Sequence, residues 1–201
     1  DLLADDDAEG RAHRDLPQAS ARAYDDLMVR HWDSWRDGSY SHLFVMPVPG
    51  DGAVDLLAGE RVHTPLPPFG GGEQIAWSPD GKELCYTARR VANPEASTDS
   101  SLWVVPVGGG EHRNLTDGLP GYDQDPVYSP DGRWIAFLSM ARAGFEADRL
   151  RVMLCERTSG EIVELLPDFE HAAHGLVWTA DSKRLFFTVD VEGTTQVYTT
   201  P

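Results

Sequence analysis

Short apolar runs separated by polar turns recur along this chain at a nearly constant interval. The segments WSPDGKELCYTA, YSPDGRWIAFLS and WTADSKRLFFTV begin at residues 77, 128 and 178, so the intervals are 51 and 50 residues. Each segment places a tight turn between two apolar runs of strand length, which is the pattern of a β-hairpin. Self-similarity at this period predicts a repeat architecture.

A second hairpin follows the first in each repeat. A β-rich run, a Gly-containing turn and a shorter returning strand recur in LFVMPVPGDGAVDLL (43–57), LWVVPVGGGEHRNLT (102–116) and LRVMLCERTSGEIVELL (150–166). The unit is therefore four antiparallel strands over about 50 residues, the size of a propeller blade. Continuous and period-two apolar patterns exclude a helical solenoid.

The predicted fold is all-β: a partial β-propeller of four-stranded antiparallel blades with TolB/WD-like repeats, forming an open arc rather than a closed ring. Because the pattern starts and stops within a repeat, we expect the chain to be a segment of a larger propeller. The predicted order is an irregular acidic lead-in with a short helix, the outer hairpin of a blade, two complete blades and a truncated blade, at 1–40, 41–60, 74–118, 119–168 and 169–201.

The turns differ in strength along the chain. Ser-Pro-Asp-Gly suits a tight reversal because proline presets φ, aspartate bonds the local backbone and glycine tolerates positive φ. The third copy, Ala180-Asp181-Ser182, lacks proline and glycine. We expect that turn to be weaker or of another type.

The connections fall into two sets, which an antiparallel blade directs to opposite faces. The set predicted for one face is long, and insertions gathered on one face of a repeat protein often mark its binding surface. The loop at 140–149 holds the candidate substrate-binding residues, with Glu146 first, because a loop carboxylate binds an ammonium group through charge-assisted hydrogen bonds. The other candidates are Phe145, Arg149, Asp148 and Arg142, with Tyr122, Asp123, Asp125, Glu170, His171 and His174 nearby in sequence. A surface cluster whose arginines and carboxylates satisfy one another is the alternative.

Composition narrows the function classes. The formal charge of −16 argues against a nucleic-acid partner and favours either cationic ligands, such as peptide amino termini, or simple solubility. Cys85 and Cys155 lie in apolar segments and are predicted to be free and buried. The sequence has no G-x-S-x-G motif, phosphate loop or metal-ligand pattern beyond two histidines three residues apart. It therefore predicts no catalytic residue, cofactor or metal site in this chain.

Several segments resemble a known family. VRHWDSWRDGSYSHLFVMPV (29–48), SPDGKELCYTAR (78–89), NLTDGLPGYDQDPVYSPDGRWIAFLSMARAGFEADR (114–149) and VWTADSKRLFFT (177–188) look like the amino-terminal propeller of prolyl oligopeptidase family serine peptidases. The branch is that of dipeptidyl peptidase V and acylaminoacyl-peptidase-like enzymes. Such propellers cap an α/β-hydrolase domain, restrict access to short peptides and help bind the substrate's amino end.

The resemblance implies two partners, a peptide substrate and an α/β-hydrolase domain of the same full-length protein. The chain ends before any hydrolase domain, so the family's Ser, Asp and His cannot be assigned here, and Glu146 is the candidate for holding the amino end. No nucleic acid or membrane partner is expected, and a homo-oligomer stays open, as does a cytoplasmic, periplasmic or secreted location. The alternative function is a stand-alone TolB-like propeller that acts as a protein-interaction module.

Overall fold

The computed structural model describes residues 24–25, 29–31 and 33–200. It divides into two compact units, residues 1–40 and 41–201. In the first unit, strands β1 (Arg30–His31) and β2 (Ser34–Trp35) pair antiparallel. Tyr24 stacks on Trp35 with 6.0 Å between ring centroids. Residues 26–28, part of the predicted short helix, lie outside the described residues.

The second unit is built from antiparallel sheets in chain order. A two-stranded sheet comes first and is followed by two four-stranded sheets, which we call the first full sheet and the second full sheet. A three-stranded sheet comes last, and we call it the third sheet. Their strands are β3 (Phe44–Val45) and β4 (Val54–Asp55); β5 (Ile75–Trp77), β6 (Glu83–Ala88), β7 (Ser101–Pro106) and β8 (Arg113–Asn114); β9 (Asp123–Tyr128), β10 (Trp134–Ser139), β11 (Arg151–Glu156) and β12 (Ile162–Glu164); and β13 (His174–Trp178), β14 (Leu185–Val191) and β15 (Thr194–Thr199). Short 3-10 turns occupy Gly72–Gln74 and Pro94–Ala96.

Successive sheets stack face to face through their alternating side chains. In β10, Ile135 and Phe137 pack with Cys85 of the first full sheet, whereas Ala136 packs with Phe187 of the third. Alternate residues of a strand point to opposite faces, so each full sheet contributes to two cores. The predicted fold class, a partial propeller of four-stranded blades in an open arc, is confirmed. The exact boundaries of the lead-in and blades stay predictions.

The three repeat turns share one geometry. The backbone N–H of Gly81, Gly132 and Ser182 donates to the carbonyl three residues earlier at 2.8–2.9 Å. These three residues have φ of 67°, 71° and 60°. Of the two expected outcomes, a weaker turn or another turn type, the structure does not show another type, because the Thr179 hydroxyl reproduces the cap that serine supplies in the other two turns. Positive φ at a serine is less favourable than at glycine, which agrees with a weaker turn.

A polar joint links the two full sheets on the short-turn side. Arg157 Nε donates to Glu83 Oε1 at 3.0 Å, and the Tyr128 hydroxyl donates to the same oxygen at 2.9 Å. The Arg157 guanidinium also lies 5.5 Å from the centroid of the Tyr128 ring and 3.4 Å from the carboxylate oxygens of Asp80. One arginine thus ties together the beginning of β6, the turn before it and the end of β9.

The outer face of the third sheet is apolar and exposed. Val177, Phe186 and Val197 are 59%, 41% and 72% exposed there. Ala136, one repeat before Phe186, is fully buried against the third sheet. The third sheet therefore carries the apolar surface on which another sheet would pack.

Candidate functional site

The long connections of the two full sheets contact one another on one face, which we call the long-loop face. The N–H of Ser100 donates to the Gly121 carbonyl at 2.9 Å, and the N–H of Met140 donates to the Tyr122 carbonyl at 3.0 Å. The N–H of Gly144 reaches the Thr98 hydroxyl at 2.8 Å. Loops that are distant in sequence, 89–101, 117–125 and 140–149, therefore form one surface.

Asp125 lies at a bulge near the start of β9, on this face. The register of β9 against β10 shifts by one residue there, and the register of β13 against β14 shifts in the same way at Gly175. Asp125 has φ of 54° and Gly175 has φ of 60°. Asparagine and aspartate tolerate this left-handed region best among residues other than glycine. At this position one repeat has the permissive glycine and the preceding repeat has a carboxylate.

No cation of the described residues compensates the charge of the Asp125 carboxylate. Burial raises its pKa to about 6, and the negative charge of Glu73 contributes to the rise. Its Oδ1 atom is buried without a hydrogen-bond partner among the described residues. Asp125 would therefore gain more from a bound cation than the carboxylates that arginines already neutralise.

Tyr122 and Gln74 fix the neighbourhood of Asp125. Gln74 Nε2 donates to the Tyr122 hydroxyl at 3.0 Å, and Gln74 Oε1 accepts the N–H of Leu66 at 2.8 Å. Burial raises the pKa of Tyr122, so this hydroxyl stays protonated at neutral pH. The hydrogen bond from Gln74 to Tyr122 joins the turn before β5 to the start of β9.

Asp123 is the fully buried carboxylate of the same strand. Burial raises its pKa to about 6, against the opposing effects of the nearby Ser139 and Thr116 hydroxyls and the charge of Arg151. Neither carboxylate oxygen has a well-formed hydrogen bond to a described residue. The cost of burying this group affects stability, which makes it a pH-dependent element of the fold.

Arg89 supplies positive charge on the long-loop face. Burial lowers its pKa, and the neighbouring side chains of Asp99 and Glu146 oppose that effect. Its guanidinium forms no ion pair with a described carboxylate, and its one hydrogen bond is to the Pro94 carbonyl at 3.5 Å. The long-loop face thus holds a half-buried cation that interacts with the charges of Asp99 and Glu146.

The residues proposed from the sequence are mostly engaged with neighbours. Arg142 pairs with Asp148 and lies 4.0 Å from the centroid of the Phe145 ring. Hydrogen bonds from Arg142 lower the pKa of Asp148. Arg149 donates to Glu164 at 2.8 Å.

Glu146 is the exception in that set. Its side chain is exposed and makes no hydrogen bond or ion pair within the part of the chain that the structure describes. Its charge acts on Arg89. A role in substrate binding stays a prediction for all five residues.

Glu73 and Arg89 were missed by the sequence analysis, and Asp125 was noted there as a neighbour in sequence. The signal for Asp125 was present, because aligning the repeats at 50 residues sets it opposite Gly175. A residue that replaces glycine at a position of positive φ is a functional candidate. No sequence pattern singles out Glu73 or Arg89. Glu73 comes near Asp125, and Arg89 near Tyr122, because two sheets stack.

Between residues 24 and 200, with the undescribed positions set aside, no three His, Cys, Asp or Glu side chains are grouped to hold a metal ion. In the same part of the chain, no helix has the length and hydropathy needed to cross a membrane.

Comparison with known proteins identifies relatives along most of the chain. It is 33% identical to dipeptidyl-peptidase 5 of Porphyromonas gingivalis over 92% of its own length, and 36% identical to the same enzyme of Porphyromonas endodontalis over 77%. The chain spans 28% and 23% of the length of these two relatives. No protein-family model matches it.

Solved structures agree on the fold. A TolB structure from Agrobacterium tumefaciens superposes with a TM-score of 0.57 at 18% identity, covering 80% of this chain and 52% of that one. An oligogalacturonate lyase in complex with manganese gives the same TM-score at 16% identity, covering 81% of this chain and 41% of that one. At such identities the likeness concerns the fold alone.

Proposed function

The resemblance to the dipeptidyl-peptidase 5 branch of the prolyl oligopeptidase family is confirmed, and from it we propose that this chain is the propeller part of a serine-type dipeptidyl or acylaminoacyl peptidase. In this role it admits short peptides to an α/β-hydrolase domain of the same protein and helps to position their amino end. The catalytic serine, aspartate and histidine then belong to that hydrolase domain.

The observation that carries the proposal is the long-loop face, in a chain whose relatives are dipeptidyl peptidases. A dipeptidyl peptidase must locate the free amino end of its substrate, because it cuts at a fixed distance from that end. An ammonium group is held best by a carboxylate without a cation of its own. Asp125 and Glu146 fit this description, since Asp125 has no compensating cation and Glu146 has no ion pair among the described residues.

The two carboxylates suit different steps of binding. Glu146 is exposed on the loop at 140–149 and would meet a peptide early. Asp125 is partly buried beside Glu73, where a lower local dielectric strengthens an ion pair. With a pKa of about 6, Asp125 is mainly ionised at pH 7.5 and protonated at pH 5.

The test uses the full-length protein and a chromogenic dipeptide substrate with a free amino end. We expect Asp125→Asn or Glu146→Gln to raise KM about 10- to 100-fold with little change in kcat, because a charge-assisted hydrogen bond is worth about 1.5–3 kcal/mol. The same substrate with an acetylated amino end should be cleaved equally by parent and variants. Glu95→Gln, an exposed carboxylate of the loop at 89–101, is the matched control and should leave KM unchanged.

Unchanged KM in both variants would remove the long-loop carboxylates from amino-end recognition. The alternative, a stand-alone TolB-like interaction propeller, predicts no dipeptidyl-peptidase activity in the full-length protein. An active serine peptidase excludes that alternative directly.

A further inference from the structure

A cavity of about 360 Å³ lies beside β7 and β8 of the first full sheet. This volume is at the lower end of the range for small-molecule sites. Its walls come from both ends of the loop at 89–101, from β7 and β8, and from residues 117–120. Neither Asp125 nor the loop at 140–149 lines it, so the cavity is separate from the carboxylates proposed above to hold an amino end.

Two hydrogen-bond donors at this cavity are buried and have no acceptor among the described residues. They are the indole N–H of Trp103 and the Nε–H of Arg90. The other nitrogens of Arg90 are engaged, because one pairs with Glu60 and one donates to the Tyr86 hydroxyl at 3.0 Å. A buried donor without a partner costs free energy. The cavity therefore favours a ligand that brings oxygen acceptors.

Further polar groups of the walls are also available to a ligand. Asp117 forms no hydrogen bond or ion pair with a described residue, and Asp99 accepts one long hydrogen bond, from the N–H of Gly121 at 3.4 Å. At Asn114, Oδ1 accepts the N–H of Thr116 at 3.1 Å, whereas Nδ2 donates to no described residue. Available donors and acceptors therefore occur together on these walls.

The charges of the cavity favour a neutral ligand. Glu60 balances the charge of Arg90. Asp99 and Asp117 then make the cavity negative, which disfavours an anionic acceptor such as a carboxylate or a phosphate. A cation would meet the two carboxylates but would bring no oxygen to the donors of Trp103 and Arg90. A hydroxyl group both donates and accepts hydrogen bonds, so a molecule with several hydroxyls satisfies both sets of groups.

The remaining wall is apolar. Val91, Leu119 and Pro120 line it. A pyranose ring presents a C–H face that packs on such a wall while its hydroxyls project from the ring edge. The Arg90 guanidinium lies 4.5 Å from the centroid of the Trp103 ring and covers that face of the indole. Trp103 therefore contributes its N–H to the cavity instead of a stacking surface.

We propose that this cavity binds a neutral polyhydroxylated molecule of the size of one pyranose ring. Its hydroxyl oxygens accept hydrogen bonds from Trp103 and Arg90. Its hydroxyl hydrogens are donated to Asp99 and Asp117, and its C–H face packs on the apolar wall. A free monosaccharide and a terminal sugar of a glycan offer the same chemistry. The site goes beyond the function proposed above, because it requires neither a free amino end nor hydrolysis.

Isothermal titration calorimetry on the whole chain tests the proposal with neutral sugars and three controls. D-Glucose, D-galactose and D-mannose represent free monosaccharides, and their methyl α-glycosides represent a sugar linked in a glycan. Agmatine, acetate and the blocked dipeptide acetyl-Ala-Ala-amide are the cationic, anionic and amide controls. We expect saturable one-site binding of at least one sugar and of none of the controls.

Two variants test the assignment of the walls. Trp103→Phe keeps an aromatic ring and removes the indole N–H, so it should weaken sugar binding about fivefold. Asp117 is exposed, so Asp117→Ala should keep the fold and weaken binding by a similar factor even where Trp103→Phe fails to fold. Trp77→Phe is the matched control, because Trp77 is 53% exposed and does not line the cavity. It should bind the sugars like the parent.

Each outcome supports or overturns the proposal. Binding of free sugars alone supports the site with monosaccharides as ligands, and binding of the methyl glycosides supports it with glycan ends. Failure of every sugar to saturate overturns the proposal, as does preferred binding of agmatine, acetate or the dipeptide. Equal weakening by Trp77→Phe also overturns it, since the sugars would then bind elsewhere. None of these results bears on Asp125 or Glu146.

Discussion

Replacing Arg157 tests whether the joint between the two full sheets stabilises the fold. In Arg157→Met the apolar stem can still pack on Tyr128, whereas the positive charge and all N–H donors are lost. Glu83 retains the Tyr128 hydroxyl at 2.9 Å but loses the guanidinium at 3.0 Å. Asp80 loses a longer contact of 3.4 Å.

The expected loss follows from these contacts. A hydrogen bond between charged groups contributes about 1.5–3 kcal/mol, and a cation near an aromatic ring contributes about 0.5–1 kcal/mol. The contact with Asp80, whose side chain is 41% exposed, adds little. Ordering the long side chain and rehydrating Glu83 in the variant offset part of the total. We therefore expect a loss of about 2 kcal/mol in the free energy of unfolding, or about 4–8 °C in Tm for a chain of this size.

Urea denaturation followed by circular dichroism measures this loss. The control is Arg133→Met, because the Arg133 side chain is 64% exposed and its ion pair with Glu156 is long, at 3.8 Å. That variant should lose less than about 0.5 kcal/mol. Combining Arg157→Met with Glu83→Gln completes a double-mutant cycle, in which we expect a coupling of about 1 kcal/mol or more.

An Arg157→Met variant as stable as Arg133→Met, with no coupling to Glu83, would refute this reasoning. It would mean that the polar joint is incidental and that the sheets are held by apolar contact alone.

Two further predictions concern the core and the fully buried carboxylate of Asp123. Phe187 is 2% exposed within the core shared with the second full sheet, so Phe187→Ala should lower the free energy of unfolding by about 3–5 kcal/mol. Phe186 is 41% exposed, so Phe186→Ala should lower it by less than about 1 kcal/mol. Equal losses in urea denaturation would contradict the assignment of the two faces. Because burial raises the pKa of Asp123 to about 6, the folded state binds a proton that the unfolded state releases, and stability falls as pH rises from about 4 to 7. Asp123→Asn removes that dependence. The difference in free energy of unfolding between variant and parent should therefore favour the variant by about 2 kcal/mol more at pH 7.5 than at pH 4.5. The same difference at both pH values would exclude this effect.

The fold could be predicted because each repeat carries its own local signals. Ser78 and Ser129 cap their turns with hydroxyls that accept the N–H five residues later, at 3.1 and 2.9 Å. The apolar runs after those turns alternate between two cores, which is why they are continuous instead of alternating between apolar and polar residues. Such features depend on residues close in sequence.

The candidate site depends on a backbone bulge and on contacts between residues far apart in sequence, which the pattern of apolar and polar residues does not reveal. The bulge at Asp125 adds one residue to β9 and leaves the apolar positions Val127 and Tyr128 unchanged. Arg157 reaches Asp80 across 77 positions of sequence because two sheets stack. Loop length in the sequence predicted which connections share a face, whereas the unpaired carboxylate of Asp125 depends on the bulge in β9 and on the stacking of two sheets.

The central claim, that successive repeats stack face to face as blades, is tested most directly by the reactivity of the two thiols. Cys85 and Cys155 come from different sheets and are both fully buried in the core between them. Burial raises the pKa of Cys85 strongly and that of Cys155 to about 11. In native buffer at pH 8, neither thiol should react with Ellman's reagent faster than the sheets separate, and Arg157→Met should accelerate both by the same factor. Immediate reaction of either thiol in the folded chain would contradict the stacking.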